Sequence, residues 1–272
     1  MTIQPSSGDV LAVANRPVDS SFNRAFEGRY PPGSTFKVVS TAALLRDGLD
    51  VDATVPCPPT ATVDGRAFRN FEGQARGRVS FRTDFAQSCN TAFVSLTDRL
   101  EVGALTETAR SFGLGLKLDL ALPAARASVP AARAPVARAA MMIGQDRILA
   151  SPLQMAGVAA TVADGRWRAP RLAAGDPRRA AAPLAPAQAT TLRELMRAVV
   201  TSGTGTALAD VSGAPAGKSG TAEYGGGDPP PTHAWFIALR GDLAVAVLVE
   251  GGRAGGTVAA PIAARFLGAL DG

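Results

Sequence analysis

Two of the three lysines in this chain stand where an amine with a movable proton would be useful. The sequence carries 28 basic residues, and only Lys37, Lys117 and Lys218 are lysines. Arginine supplies a fixed charge, whereas a desolvated lysine, or one set beside another cation, can give up its proton. Lys37 follows a Pro-Pro-Gly break in YPPGSTFKVV and lies three residues after Ser34. On a helix that spacing puts both side chains on one face, a turn apart. The break sets Ser34 at the helix N-terminus, where free N–H groups and the dipole favour developing negative charge. A nucleophilic serine needs an adjacent base and an electropositive setting for an oxyanion. The plain alternative is an N-cap serine beside a surface lysine.

Two further stretches have the same character. In QSCNTAF, the hydroxyl of Ser88 and the amide of Asn90 sit in the break of a helical pattern and can project into one cleft, although ordinary capping explains such residues equally well. In AGKSGTAEY, strand alternation sends Lys218 and Gly220 to one face and Ser219 and Thr221 to the other. Glycine there lets a ligand backbone approach closely. A phosphate-loop reading of GAPAGKS fails, because Gly213 and Gly217 enclose three residues rather than the required four. The following TAEYGGGDPPP is also unable to form the helix that such a loop needs.

STFK, SCN and KSGT occur in the order of the S-x-x-K, S-D-N and K-T-G signatures of β-lactamases and penicillin-binding proteins. The chain resembles the transpeptidase domain of penicillin-binding proteins, most closely the monofunctional class B type. GDVLAVANRP, YPPGSTFKVVS, QSCNTAF, IGQDRILASPLQMAGVAATVADG and GKSGTAE carry the resemblance over nearly the whole sequence. It implies that Ser34 is the acylated nucleophile and Lys37 takes its proton. Ser88 would relay a proton toward the leaving group, and Asn90 would hold Lys37 and the substrate amide. Lys218 would keep the Lys37 pKa low by like-charge repulsion and hydrogen-bond to Ser88. Ser219 and Thr221, with Gly220 between them, would bind the substrate carboxylate, and the N–H groups of Ser34 and Thr221 would form the oxyanion hole. No cofactor and no metal are implied. The partners implied are peptidoglycan stem peptides, β-lactams as inhibitors and a cell-wall synthesis complex.

The elements must carry these motifs into one place. A strand is expected in Gly8–Asn15, with MTIQ too short for a complete partner strand. Helices are expected over Ser34–Arg46, over Thr83–Leu100 with an interruption at Ser88–Asn90, over Leu105–Phe112, from Ser151–Pro152 to Gly165, and over Ala187–Val200. Val51–Gly77 reads as loop with short strands, and Val129–Ala139 has no clear pattern. Strands follow at Ala216–Tyr224, His233–Leu239 and Leu243–Glu250, then a helix at Val258–Leu270. This is a mixed α/β (α+β) pattern. With the resemblance it implies a β-lactamase/transpeptidase-like fold, an antiparallel sheet flanked by helices plus a mostly helical subdomain. One domain over 1–272 is expected, with the sheet part near 1–45 and 200–272 and the helical part near 46–199.

Composition closes other routes. The net charge of +5 hints at nucleic acid, but the arginines are scattered and the densest patch, RGRVSFR, lacks interleaved aromatics. Two cysteines are too few for a disulfide framework, and Cys89 reads as a small buried residue. One histidine and two cysteines argue against structural zinc. A Ser-His-Asp hydrolase would have to use His233 and lacks a G-x-S-x-G elbow. A class A β-lactamase would need a deacylating glutamate between the second and third motifs. Glu101, Glu107 and Glu194 lie in unsuitable stretches, and Asp119 and Asp146 are poor substitutes. The expected function is therefore D,D-transpeptidation, with D,D-carboxypeptidase, β-lactamase and a non-catalytic β-lactam sensor or inactive scaffold as alternatives. The family works at the extracytoplasmic face of the cytoplasmic membrane. No signal peptide or anchor helix is visible here, and the chain reads as an excised domain.

Overall fold

The computed structural model describes residues 1–227 and 229–271; Asp228, within TAEYGGGDPPP, and Gly272 lie outside it. The chain begins with two short strands, β1 (Thr2–Ile3) and β2 (Val10–Ala12), and a single helical turn, α1 (Arg24–Glu27). A 3-10 turn over Gly33–Phe36 then runs directly into α2 (Lys37–Arg46). The expected loop region is built from β3 (Thr54–Cys57), β4 (Thr60–Val63), β5 (Arg66–Arg69) and β6 (Gly77–Ser80), with β3 paired to β6 and β4 to β5. Next come α3 (Phe81–Ala86) and α4 (Asn90–Ser95), separated by the interruption expected at Ser88–Asn90. Helix α5 (Ala104–Ser111) follows, then α6 (Pro135–Met142), which occupies part of the stretch without a clear pattern.

Helix α7 (Pro152–Asp164) starts where its sequence dictates. Ser151 and Gln154 form a reciprocal capping box, Pro152 takes the first turn, and Gly165 closes the helix in the left-handed conformation. Helix α8 (Pro186–Ser202) leads to β7 (Ala216–Glu223), β8 (Thr232–Arg240) and β9 (Leu243–Val249), and α9 (Gly255–Gly268) ends the fold. The expected boundary near 199 falls inside α8, which packs on β7. Among the described residues no helix is long and apolar enough to cross a membrane.

The main sheet has the order β2-β1-β9-β8-β7. Short as it is, β1 pairs antiparallel with both β2 and β9. The run AWFIAL in β8 is apolar on both faces because both faces are covered. Trp235 and Ile237 join the large core shared with α2, α7 and α8, whereas Phe236 and Ala238 join a second core with Ala259, Ala263 and Leu267 of α9. β7 is left as the edge strand, and the 3-10 turn that bears Ser34 lies against it.

Candidate active site

The YPPGS segment is pinned before the chemistry begins. Tyr30 and Ala150 exchange backbone hydrogen bonds of 3.0 and 2.9 Å, and the Trp235 indole N–H donates to the Pro31 carbonyl at 2.9 Å. Gly33 has φ +51°, and a Cβ there would meet the Thr221 carbonyl oxygen at 2.8 Å. On the facing strand, a Cβ at Gly220 would meet the Pro32 carbonyl oxygen at 2.9 Å. Only glycine at both positions lets β7 lie this close to the turn that presents Ser34. Ser34 itself is half-buried.

Behind Ser34, the side chains of Lys37 and Lys218 are fully buried and meet at the SCN turn. Lys37 Nζ donates to the Ser88 carbonyl at 2.7 Å and to Asn90 Oδ1 at 2.8 Å, with Ser88 Oγ at 3.5 Å. Lys218 Nζ donates to Ser88 Oγ at 2.8 Å and to its neighbour's carbonyl, Ser219 O, at 3.2 Å. A neutral lysine amine has two N–H bonds and one lone pair. The two short acceptors around Lys37 account for both N–H bonds, which leaves the lone pair free to take a proton. Ser88 adopts a left-handed conformation, φ 60°, uncommon for a residue with a side chain. That turn lets one residue offer its carbonyl to Lys37 and its hydroxyl to Lys218.

Burial sets the electrostatics. The Lys37 pKa lies well below the ordinary lysine value, first because its ammonium is desolvated and second because Lys218 repels it; Asp84 opposes the shift. Burial also lowers Lys218, to about 7. The like-charge effect expected of Lys218 is thus present but second to desolvation.

The expected carboxylate side of the site lies along β7. Ser219 Oγ is 2.6 Å from Thr204 Oγ1, and the Thr221 hydroxyl accepts from the Gly255 N–H at 3.4 Å. Their opposition to Lys218 and Gly220 follows the alternation read from sequence. All eight residues singled out there lie where the 3-10 turn, the α3–α4 turn and β7 meet. His233 lies elsewhere, near the start of β8, stacked on Tyr224 at 3.9 Å between ring centroids.

Four features escaped the sequence reading. The first corrects it: Cys89 is buried as expected, but it forms a disulfide with Cys57, with a Cα–Cα distance of 6.2 Å. The partners are separated by 32 residues, and only the fold of β3 against the α3–α4 turn brings them together. The second is Asn70, whose Oδ1 accepts the Asn90 and Thr91 N–H groups at 2.8 and 3.0 Å while its Nδ2 donates to the Pro58 and Gln74 carbonyls at 2.8 and 2.7 Å. It satisfies first-turn donors of α4 from across the chain. The third is Thr204, already met beside Ser219. The fourth is Asp84, which is fully buried, with neither carboxyl oxygen hydrogen-bonded. One of its oxygens and the two disulfide sulfurs lie within 4.8 Å of one another; the sulfurs are bonded to each other and so are not free to ligate a metal. None of Cys57, Asn70, Asp84 and Thr204 belongs to a recognisable spacing pattern.

Comparison with known proteins gives this geometry a family. The family model described as the penicillin binding protein transpeptidase domain matches residues 1–268. Peptidoglycan D,D-transpeptidase PbpA of Mycobacterium tuberculosis is 36% identical, over 92% of this chain and 57% of that protein. The protein of the same name from Mycolicibacterium smegmatis is 39% identical, over 90% of this chain and 56% of its own length. The chain thus spans little more than half the length of these curated relatives. The solved structure of penicillin-binding protein A from M. tuberculosis, as its ceftriaxone acyl-enzyme complex, matches with a TM-score of 0.87 and 32% identity, covering 97% of this chain and 71% of that one. The expected fold class is that of this neighbour. With a family model that spans nearly its whole length, the chain belongs to the penicillin-binding protein transpeptidase domain family.

Proposed function

We propose that the chain is a serine D,D-transpeptidase domain that cross-links peptidoglycan stem peptides. The observation that carries this reading is the buried network in which Lys37 and Lys218 converge on Ser88 while Asn90 accepts from Lys37. Lys37, with its lone pair free, removes the Ser34 proton as Ser34 Oγ attacks the carbonyl of the penultimate D-Ala. The N–H groups of Ser34 and Thr221 hold the oxyanion. Ser88, backed by Lys218, passes a proton to the departing D-Ala, and Ser219 and Thr221 take its carboxylate. An amine of a neighbouring stem then attacks the acyl-enzyme, with the same groups moving protons in reverse.

The scarcity of a hydrolytic base favours an amine acceptor over water. Glu107 and Glu194 are exposed and face Arg46 and Arg82, Asp119 pairs with Lys117 and Arg179, and Asp146 adjoins Arg147. None of them hydrogen-bonds to the lysine network. β-Lactams, as mimics of the D-Ala-D-Ala end, acylate Ser34 and remain bound. In the whole protein the domain acts on the extracytoplasmic side of the cytoplasmic membrane, within a cell-wall synthesis complex.

Intact mass after incubation with penicillin, followed over hours, tests the reading, together with D-Ala release from a stem peptide with and without an acceptor amine. A persistent single adduct on Ser34, and release that yields cross-linked product, is expected. Rapid return to the free mass would mean a β-lactamase. Release without cross-linking would mean a carboxypeptidase. An adduct without any release would mean a sensor.

A further inference from the structure

The mechanism just proposed leaves one buried ionisable group unused. Asp84 lies inside the short α3, beneath the SCN turn: its carbonyl accepts the Cys89 N–H at 2.9 Å. Its side chain is inaccessible to solvent, and neither oxygen has a hydrogen-bond partner. Leaving a carboxyl group in this condition is costly, and such a group is retained for a reason other than stability. The charged groups on neighbouring elements are few. Lys37 of α2 and Lys218 of β7 are fully buried. Arg82, on Asp84's own helix, turns outward to Asp52 and Glu194 of α8. Arg78 of β6 is exposed, and Arg197 of α8 donates to the Pro215 carbonyl. The Ser88–Cys89 peptide joins Asp84 to Lys37: its carbonyl accepts from Lys37 Nζ at 2.7 Å, and its N–H donates to the Asp84 carbonyl at 2.9 Å.

We propose that Asp84 is the electrostatic partner of Lys37, stabilising the ammonium that forms there when Lys37 accepts the Ser34 proton. The step balances without any further reactant. The Ser34 O–H bond breaks, its electron pair forms the bond to the substrate carbonyl carbon, the carbonyl π pair moves to oxygen, and the proton becomes the third N–H of Lys37. That new cation arises fully buried, beside Lys218, with no solvent to receive it. Among the described residues, an ionised Asp84 is the buried acid at hand to offset it. This role parallels the acid that stabilises the imidazolium of a Ser-His-Asp triad. Asp84 touches neither serine nor substrate and acts through Lys37, so it is a positioning residue. Burial raises its carboxyl to about 7, with Lys37 pulling the other way. Its charge is therefore available from neutral pH upward.

The inference rests on the reading of Lys37 as base, and two measurements keep the failures apart. The three lysines make ¹³Cε-lysine NMR of the intact chain readable residue by residue. In Lys218→Arg, whose charge no longer titrates in this range, Lys37 is expected to show a second inflection near the Asp84 value of about 7. In Lys218→Arg/Asp84→Asn that inflection disappears. Asp84 is ionised in the parent only above about pH 7, and losing one pKa unit of stabilisation is about tenfold in rate, so the ratio of parent to Asp84→Asn acylation rates is expected to rise from about 1 below that pH to about 10 above it. Asp84→Asn is also expected to melt no lower than the parent, because it discards a buried charge without breaking a hydrogen bond. A Lys37 titration with one inflection in Lys218→Arg, or a parent-to-variant rate ratio that does not change across neutral pH in folded Asp84→Asn, overturns the inference. Absence of acylation in the parent would instead overturn the reading of the site, while the NMR coupling still decides Asp84.

Discussion

Breaking the Cys57–Cys89 disulfide should damage stability and catalysis together, for separable reasons. The bond closes a loop of 32 residues. In the chain-entropy treatment, a loop of that size constrains the unfolded state by about 4 kcal/mol. For a chain of this length that is a fall in Tm on the order of 10 °C. The catalytic effect has another origin. Cys89 lies between Ser88 and Asn90, the two residues that hold Lys37 and Lys218, and the bond ties that turn to β3. Without it, the turn is held from this side by hydrogen bonds only, those of Asn70, of the Thr91 hydroxyl to Pro58 O and of the Asn90 amide to Arg69 O, and Ser88 must keep its left-handed conformation with less support. A displacement of about 1 Å in catalytic groups can cost on the order of a hundredfold in rate. The assay compares the parent with Cys57→Ala/Cys89→Ala by thermal melting and by stopped-flow acylation with a fluorescent penicillin, below the melting range of both. The acylation rate constant should fall by about tenfold or more. The dissociation constant of the initial complex should change little, because Ser219 and Thr221 sit on β7. A lowered Tm with an unchanged acylation rate would refute the positioning argument and leave the disulfide a stabilising cross-link only.

Other perturbations address the network directly. Ser34→Ala should abolish the penicillin adduct with the fold intact, read by intact mass and circular dichroism. Lys37→Arg should be nearly as inactive, because arginine cannot act as base; acylation at the parent rate would make Lys37 structural. The pH profile of acylation should be a narrow bell, its alkaline limb near the Lys218 value of about 7, since above it Lys218 loses the proton it lends to Ser88. Lys218→Arg, with a charge that persists, should erase that limb while acylating more slowly than the parent but far faster than Lys37→Arg; an unmoved limb would assign it to another group. Asn70→Ala frees two N–H groups of α4 and one anchor of the SCN turn, with an expected loss of about 2–3 kcal/mol of stability, measured by denaturant unfolding.

The parts legible in the sequence share a local cause. α7 announces itself because Ser151, Pro152, Gln154 and Gly165 each act within a turn of their own position. β8 and β9 are legible as apolar runs between turn residues, although only the sheet shows that both faces of β8 are covered. Ser34, Lys37, Ser88, Asn90 and Lys218 were found because their short spacings recur in a fixed order, not because the sequence shows them meeting. The helix over Ser34–Arg46 was right in extent, but its first turn is 3-10, a tightening that accompanies the close approach of β7. What stayed hidden is long-range. The contact of Cys57 with Cys89, of Asn70 with the Asn90 and Thr91 N–H groups, and of Thr204 with Ser219 depends on loops whose closure no periodicity encodes.

The hidden residues and the visible ones form a single arrangement. A core with two fully buried lysines and one unbonded buried acid violates the rule that interior charges are paired and hydrogen-bonded. Among the described residues these groups share the space under one turn, which its neighbours tie down. The disulfide and Asn70 fix the SCN turn, Trp235 and Ala150 fix the Ser34 turn, and Gly33 and Gly220 admit the edge strand. Such rigidity is what a desolvated amine requires, because a looser site would admit water, restore the Lys37 proton and silence the base. Stability drawn from cross-links and backbone anchors at the rim thus sustains an unstable charge arrangement at the centre, and in the mechanism proposed above that arrangement gives Lys37 a reason to take a proton from Ser34.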